Sequence, residues 1–225
     1  VYRPSEASFH LKSGSSPALT LPFGVRGDIP VTGDWDGNGT RTVGIFQPDR
    51  ATYHLRNSNS IGAADIVAIL GMKGDLPVVG DWNGDGTTTI GIYRPSSSSF
   101  HLRNSNTSGA GEISFGYGMS GDVPLAGDWN GDRRTGIGVF RPAMATFFLK
   151  NDTASGPHDI LVPFGAADDI PVVGDWNGDG TETIGVFRPT SGTFYLRNSN
   201  TAGNADLILP FGMVGDLPVA GNWRW

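Results

Sequence analysis

"GDLPVVGDWNGDGTTTIGIYRP", residues 74–95, sets two short β-branched, aromatic-ended runs on either side of a D-x-N-x-D-G loop. "LPVVGDW" and "TIGIYRP" are each bounded by Gly, Asp or Pro, so they read as strands and the loop between them as a tight connection. Downstream, "SFHLRN" alternates, with Phe100 and Leu102 on one face and His101 on the other, and "GEISFGYG" ends in an aromatic–glycine pair. No helical period appears, and turn residues return too often to leave room for one.

The same text is written five times. Trp35, Trp82, Trp129, Trp176 and Trp223 are each 47 residues from the next, and "VYRP", "IFQP", "IYRP", "VFRP" and "VFRP" begin at 1, 45, 92, 139 and 186. The first interval is 44 because residues 11–24 are three shorter than residues 55–71. Four short antiparallel strands per repeat of this length describe a β-propeller blade. The expected fold is all-β: one five-bladed propeller over residues 1–225, with blades near 28–71, 75–118, 122–165 and 169–212. A fifth blade joins 217–225 to 1–24. The head supplies its second to fourth strands and the tail its first, so the ring closes with no unpaired edge at the seam.

Composition supports a packed chain and narrows its partners. Hydrophobic residues make up 38% of the sequence, twelve of them Phe, so the 34 Gly and 15 Pro signal turns and not disorder. A net charge of −6 argues against nucleic acid, because phosphate binding needs a basic face, and disfavours an anionic membrane surface. No apolar run approaches the roughly 20 residues that span a bilayer. The absence of Cys removes disulfide, thiol and thiolate-zinc chemistry. The opening valine, already inside a strand, reads as the start of a mature or excised piece of a longer multidomain chain.

The pattern F-G…G-D-[ILV]-P-V-x-G-D-W-N-G-D-G-x-x-T-I-G-[VI]-F-R-P resembles the bacterial FG-GAP/VCBS-type repeat, related to integrin α-subunit propeller blades. Phe23-Gly24, Tyr117-Gly118, Phe164-Gly165 and Phe211-Gly212 match its FG element, and Leu70-Gly71 departs from it. The resemblance implies an extracellular adhesion, ligand-binding or accessory module, secreted or at the cell surface. It also implies that the D-x-[DN]-x-D-G loop joins a blade's first two strands and can hold calcium.

Calcium takes six to eight oxygens, and such a loop offers side chains at positions 1, 3 and 5 with glycine at 6. Those positions are Asp34, Asp36, Asn38; Asp81, Asn83, Asp85; Asp128, Asn130, Asp132; and Asp175, Asn177, Asp179. Position 9, where the resemblance implies a carboxylate, holds Thr42, Thr89, Gly136 and Thr183, and Arg133 replaces the glycine of the third loop. Two readings stay open: weak calcium loops, or metal-free turns in which Asp and Asn bond backbone amides. A threonine hydroxyl at position 9 could bond the same aspartates in the second case.

Other recurring residues carry structural expectations. Asp28, Asp75, Asp122, Asp169 and Asp216 precede "[ILV]P" and read as caps of the turn that opens each blade, against an alternative in which they ring the central channel. His10, His54 and His101 share a slot with Phe148 and Tyr195, so the slot asks for a flat ring between blades and not a base. The tryptophans read as inter-blade packing, and Arg3, Arg94, Arg141 and Arg188, with Gln47 as the odd copy, as partners of a loop aspartate.

The third-to-fourth-strand hairpins are rich in amides and hydroxyls, and offer a repeated rim site for a polyhydroxy ligand: Arg56, Asn57, Asn59; Arg103, Asn104, Asn106; Arg197, Asn198, Asn200. The leading function is therefore a non-catalytic module binding glycan or an extracellular protein. The competing readings are a glycoside-hydrolase-like propeller and a unit of a surface layer or filament. A hydrolase site needs carboxylates set apart from the period, and Glu6, Asp49, Glu112, Asp152, Asp159, Asp168, Glu182 and Asp206, which do break it, form no evident pair.

Overall fold

The computed structural model describes residues 1–13 and 17–221. Four sheets repeat one meander of neighbouring antiparallel strands. Blade I is β4 (Ile29–Gly33), β5 (Thr42–Gln47), β6 (Thr52–Leu55) and β7 (Ile66–Ile69); blade II is β8 (Leu76–Gly80), β9 (Thr89–Arg94), β10 (Ser99–Leu102) and β11 (Ile113–Gly116). Blade III is β12 (Val123–Gly127), β13 (Gly136–Arg141), β14 (Thr146–Lys150) and β15 (Ile160–Pro163); blade IV is β16 (Ile170–Gly174), β17 (Thr183–Arg188), β18 (Thr193–Leu196) and β19 (Leu207–Pro210). Among the described residues there is no α-helix, only one 3-10 turn at Pro142–Met144.

The closing blade contains β1 (Tyr2–Arg3), β2 (Ser8–Leu11) and β3 (Leu19–Pro22), and its innermost position is filled from the other end of the chain. Tyr2 and Leu217 exchange both backbone hydrogen bonds at 2.8 Å, the narrow pairing of an antiparallel ladder. Thr32 on β4 donates to the carbonyl of Ala220 at 2.7 Å, which ties the same tail to blade I. The ring is thus a five-bladed propeller closed by a blade shared between the termini. Trp223 and Asn222 lie outside the described residues.

The second strand of each blade explains the packing. β5, β9, β13 and β17 are buried at five successive positions, on both faces, because each is covered by the blades on either side. Their first-face aromatic meets a ring directly opposite on the third strand: Phe46 with Tyr53 at 4.7 Å, Tyr93 with Phe100 at 4.9 Å, Phe140 with Phe147 and Phe187 with Phe194 at 4.8 Å. Cross-strand aromatic pairs of this kind stabilise by about 0.5–1.5 kcal/mol beyond the area they bury. Mid-strand Gly91 is required by the same crowding, since a Cβ there would sit 2.6 Å from Leu102 Cδ2. Trp82 packs with Ile137 and Val139 of blade III, as Trp35 does with Ile90 and Ile92 of blade II and Trp129 with Ile184 and Val186 of blade IV. These three tryptophans are inter-blade wedges.

Candidate functional site

The connections between first and second strands and the hairpins between third and fourth strands lie at one end of the propeller, because an antiparallel meander returns to the same side every second turn. At that end the axial channel opens to a cavity of about 600 Å³. Its lining mixes Val31, Val78, Leu125, Val172 and Val219 with Asp34, Asp81, Asp128, Asp175, Arg41, Arg133 and Glu182.

The loop oxygens face their own backbone. Asp81 Oδ1 accepts from the amides of Gly84 (2.8 Å) and Asp85 (3.1 Å), and its Oδ2 from Gly86 (2.7 Å). Asn83 Oδ1 accepts from Asp85, while its Nδ2 donates to Asp85 Oδ2 at 2.9 Å. The same bonds recur on Asp175, Asn177 and Asp179, and on Asp128, Asn130 and Asp132. In the first loop Asp34 accepts from Asn38 and Gly39, and Asn38 Nδ2 donates to Asp36. The Asn amide, followed by the Thr amide two residues on, holds Asp85 and Asp179 below the ordinary carboxylate range.

Two carboxylates and one amide per loop supply only part of the six to eight oxygens that calcium takes, and an amide N–H occupies one oxygen of the position-5 carboxylate. Position 9 differs from its expected role. Thr42 and Thr183 are buried and donate to the carbonyls of Arg56 and Arg197 at 2.6 Å, away from the loop aspartates. Among the described residues no three His, Asp or Glu side chains converge as metal ligands. Three of the four loops are also stapled to the next blade: Asp34 N donates to Thr88 Oγ1, Asp81 N to Thr135 Oγ1 and Asp128 N to Glu182 Oε2, at 2.9–3.0 Å. Glu182 further pairs with Arg41 at 2.6 Å, a charge bridge from blade IV to blade I past the seam.

Among the hairpin side chains named from sequence, the arginines and the second asparagine of each hairpin turn onto the protein, while Asn104 and Asn198 are exposed. Arg56 is buried and donates to the Ala63 and Ser60 carbonyls and the Ser58 and Ser60 hydroxyls of its own hairpin. Arg103 and Arg197 do the same with Ala110 and Thr107, and with Asn204 and Thr201. Asn59, Asn106 and Asn200 donate to the carbonyls of Arg41, Thr88 and Glu182, locking the hairpin onto the strand connection. The backbone amides of Asn57, Asn104 and Asn198 are capped by Asp65, Glu112 and Asp206. The three arginines and Asn59, Asn106 and Asn200 thus shape the hairpins, because a guanidinium with five donors satisfies several turn carbonyls at once.

The turn aspartates stand clear of the channel. Asp75 is 2% exposed; its Oδ2 accepts from Met72 N at 2.9 Å and its carboxylate takes Arg94 at 2.9 and 2.8 Å. Asp122 with Arg141, Asp169 with Arg188 and Asp216 with Arg3 repeat the clamp. The arginines therefore pair with the turn caps and not with the D-x-N-x-D-G loops. Arg141 and Arg188 also lie over the Phe148 and Tyr195 rings at 4.4 and 4.5 Å, which accounts for the flat-ring slot.

No protein-family profile matches the chain, and no curated protein matches it. Solved structures do. A lectin from Agrocybe aegerita that recognises non-reducing terminal N-acetylglucosamine superposes with a TM-score of 0.50 at 17% identity, over 85% of this chain and 56% of that one. BBS1N, solved in complex with ARL6DN, gives a TM-score of 0.45 at 11% identity over 81% of this chain and 56% of that one. The chain spans about half the length of these neighbours, and at such identity the likeness is one of fold.

Proposed function

We propose that this chain is a non-catalytic propeller module of the FG-GAP/VCBS type that binds glycan or extracellular protein in a secreted or cell-surface setting. The observation that carries the reading is the engagement of its carboxylates. The five turn aspartates cap turns, and four of them also clamp arginines. The loop aspartates hold their own turns. Most acids outside the period are tied as well: Glu6 to Arg3 and His10, Asp49 to Lys73, Glu112 to Arg103, Asp152 to Lys150, Glu182 to Arg41 and Asp206 to Arg197. A glycosidase needs two free carboxylates facing one another across a bond, with pKa values driven apart. The recognition of N-acetylglucosamine by the lectin with this fold agrees with a glycan ligand. An immobilised glycan array run beside a glycoside hydrolysis screen tests the proposal. Saturable binding without turnover is expected, and turnover without saturable binding reverses it.

A further inference from the structure

Between blades II and III lies a second cavity, of about 500 Å³, where the fivefold near-symmetry fails at several positions together. Tyr117 stands where the other blades have Phe23, Leu70, Phe164 and Phe211. Phe148 replaces His10, His54, His101 and Tyr195. His158 replaces Ala64, Gly111 and Ala205, and Ser98, in the left-handed region at φ 48°, replaces Ala7, Ala51, Ala145 and Gly192. All four line this cavity, with Ser97 and Arg141. Departures scattered by drift would have no reason to meet in one place.

The chemistry of the lining is specific. Tyr117 is 7% exposed and its hydroxyl is covered yet has no hydrogen-bond partner, whereas the hydroxyls of Tyr2, Tyr53 and Tyr93 each donate to a backbone carbonyl. Burial, foremost, pushes Tyr117 up to about 12, so the group stays a donor at neutral pH. Leaving such a hydroxyl unsatisfied costs about 1–3 kcal/mol, which an acceptor from a seated ligand would recover. His158 meets the Phe148 ring edge-on, at 5.3 Å and 81°, so the two rings form an apolar corner beside the hydroxyl. Arg141 is already neutralised by Asp122 at 2.8 and 2.9 Å, and no carboxylate lines the space. Nothing there calls for a charged ligand.

We infer that this inter-blade cavity is a single binding site for a neutral polyhydroxylated ring, one monosaccharide unit, with Tyr117 turning its covered hydroxyl to a ligand oxygen and Phe148 and His158 packing its apolar face. The inference rests on the reading of the chain as a ligand-binding module and places that binding at one junction instead of on the repeated rim. The volume lies within the range of pockets that enclose small molecules.

The test is an amide NMR titration of the full chain with free N-acetylglucosamine, glucose, galactose and mannose at millimolar concentration. At least one sugar should give saturable shifts centred on residues 97–98, 116–118 and 156–158. Tyr117→Phe, which keeps the ring, should weaken that binding about tenfold. His158→Ala, at a position where small residues are native in three other blades, should weaken it with an unchanged melting temperature. Saturable shifts centred on the hairpins or channel overturn the site while leaving the module standing. An unchanged affinity in Tyr117→Phe, or silence with all four sugars while the array binds, also overturns the site. Silence in both experiments removes the glycan reading itself.

Discussion

Gln47 Oε1 lies 3.2 Å from His54 Nε2, and Asp28, the turn aspartate of the same blade, is left without the guanidinium that clamps its four counterparts. Asp28 is buried and keeps only the Val25 amide, so desolvation raises its carboxyl above the ordinary value. Gln47→Arg should complete the clamp and add about 2 kcal/mol at neutral pH, the scale of a hydrogen bond to a charged group. The sign with pH follows from the raised pKa. Whatever favours protonated Asp28 is fully present at acid pH and is lost as pH rises through its folded pKa, so the gap between variant and wild type should open on going from acid to neutral pH. Urea melts across that window check it, and a gap that closes instead contradicts the assignment.

The intact clamps make the opposite prediction. Arg94→Ala leaves Asp75 charged and buried, and should cost about 3 kcal/mol. Gln47→Ala, which removes no such partner, should cost less than about 1 kcal/mol. Equal losses from the two variants in equilibrium denaturation would show that the clamp contributes nothing particular.

Arg133 has φ 70° where the other loops place Gly39, Gly86 and Gly180 at φ 83–91°. Relief of left-handed strain is worth about 1–2 kcal/mol, and the added freedom of glycine in the unfolded chain costs about 0.5–1. Arg133→Gly should therefore stabilise by about 0.5 kcal/mol, read as a higher denaturation midpoint at constant slope. A lower midpoint would mean that the arginine side chain holds the loop in a way its backbone does not reveal.

Melting temperature should be the same in chelator and in 5 mM calcium. A single loop with a Kd near 1 mM would contribute about 1 kcal/mol under that load, a rise of about 2–4 °C. Such a rise would mean that the Asn83 and Asn177 side chains rotate to present oxygen, and that the loops are calcium sites after all.

Melting of the sugar-loaded protein adds a check on the proposed function. The array's best glycan should raise the transition in proportion to its occupancy, as any ligand of the native state alone must. A glycan that binds the array yet leaves the transition unmoved at saturating concentration would indicate an interaction that does not select the folded propeller.

The repeat determined the architecture. A period of 47 residues with four strand signals can bury its apolar faces only by stacking against copies of itself, and the split between Tyr2 and Leu217 was visible in the phase of the text. Local turn chemistry was equally legible: the Asp before each "[ILV]P" caps a turn, because that bond spans three residues. What depended on distance along the chain was not. That Arg94 reaches Asp75, nineteen residues away, and not the nearer loop, follows from the register of β8 against β9. That Arg56 and Asn106 serve their hairpins, and that Tyr117, Phe148 and His158 share one cavity, follows from how neighbouring blades overlap. A string of residues fixes which groups exist and how often they recur; whether a polar group is free for a ligand depends on which carbonyls and carboxylates the packed blades bring within 3 Å of it.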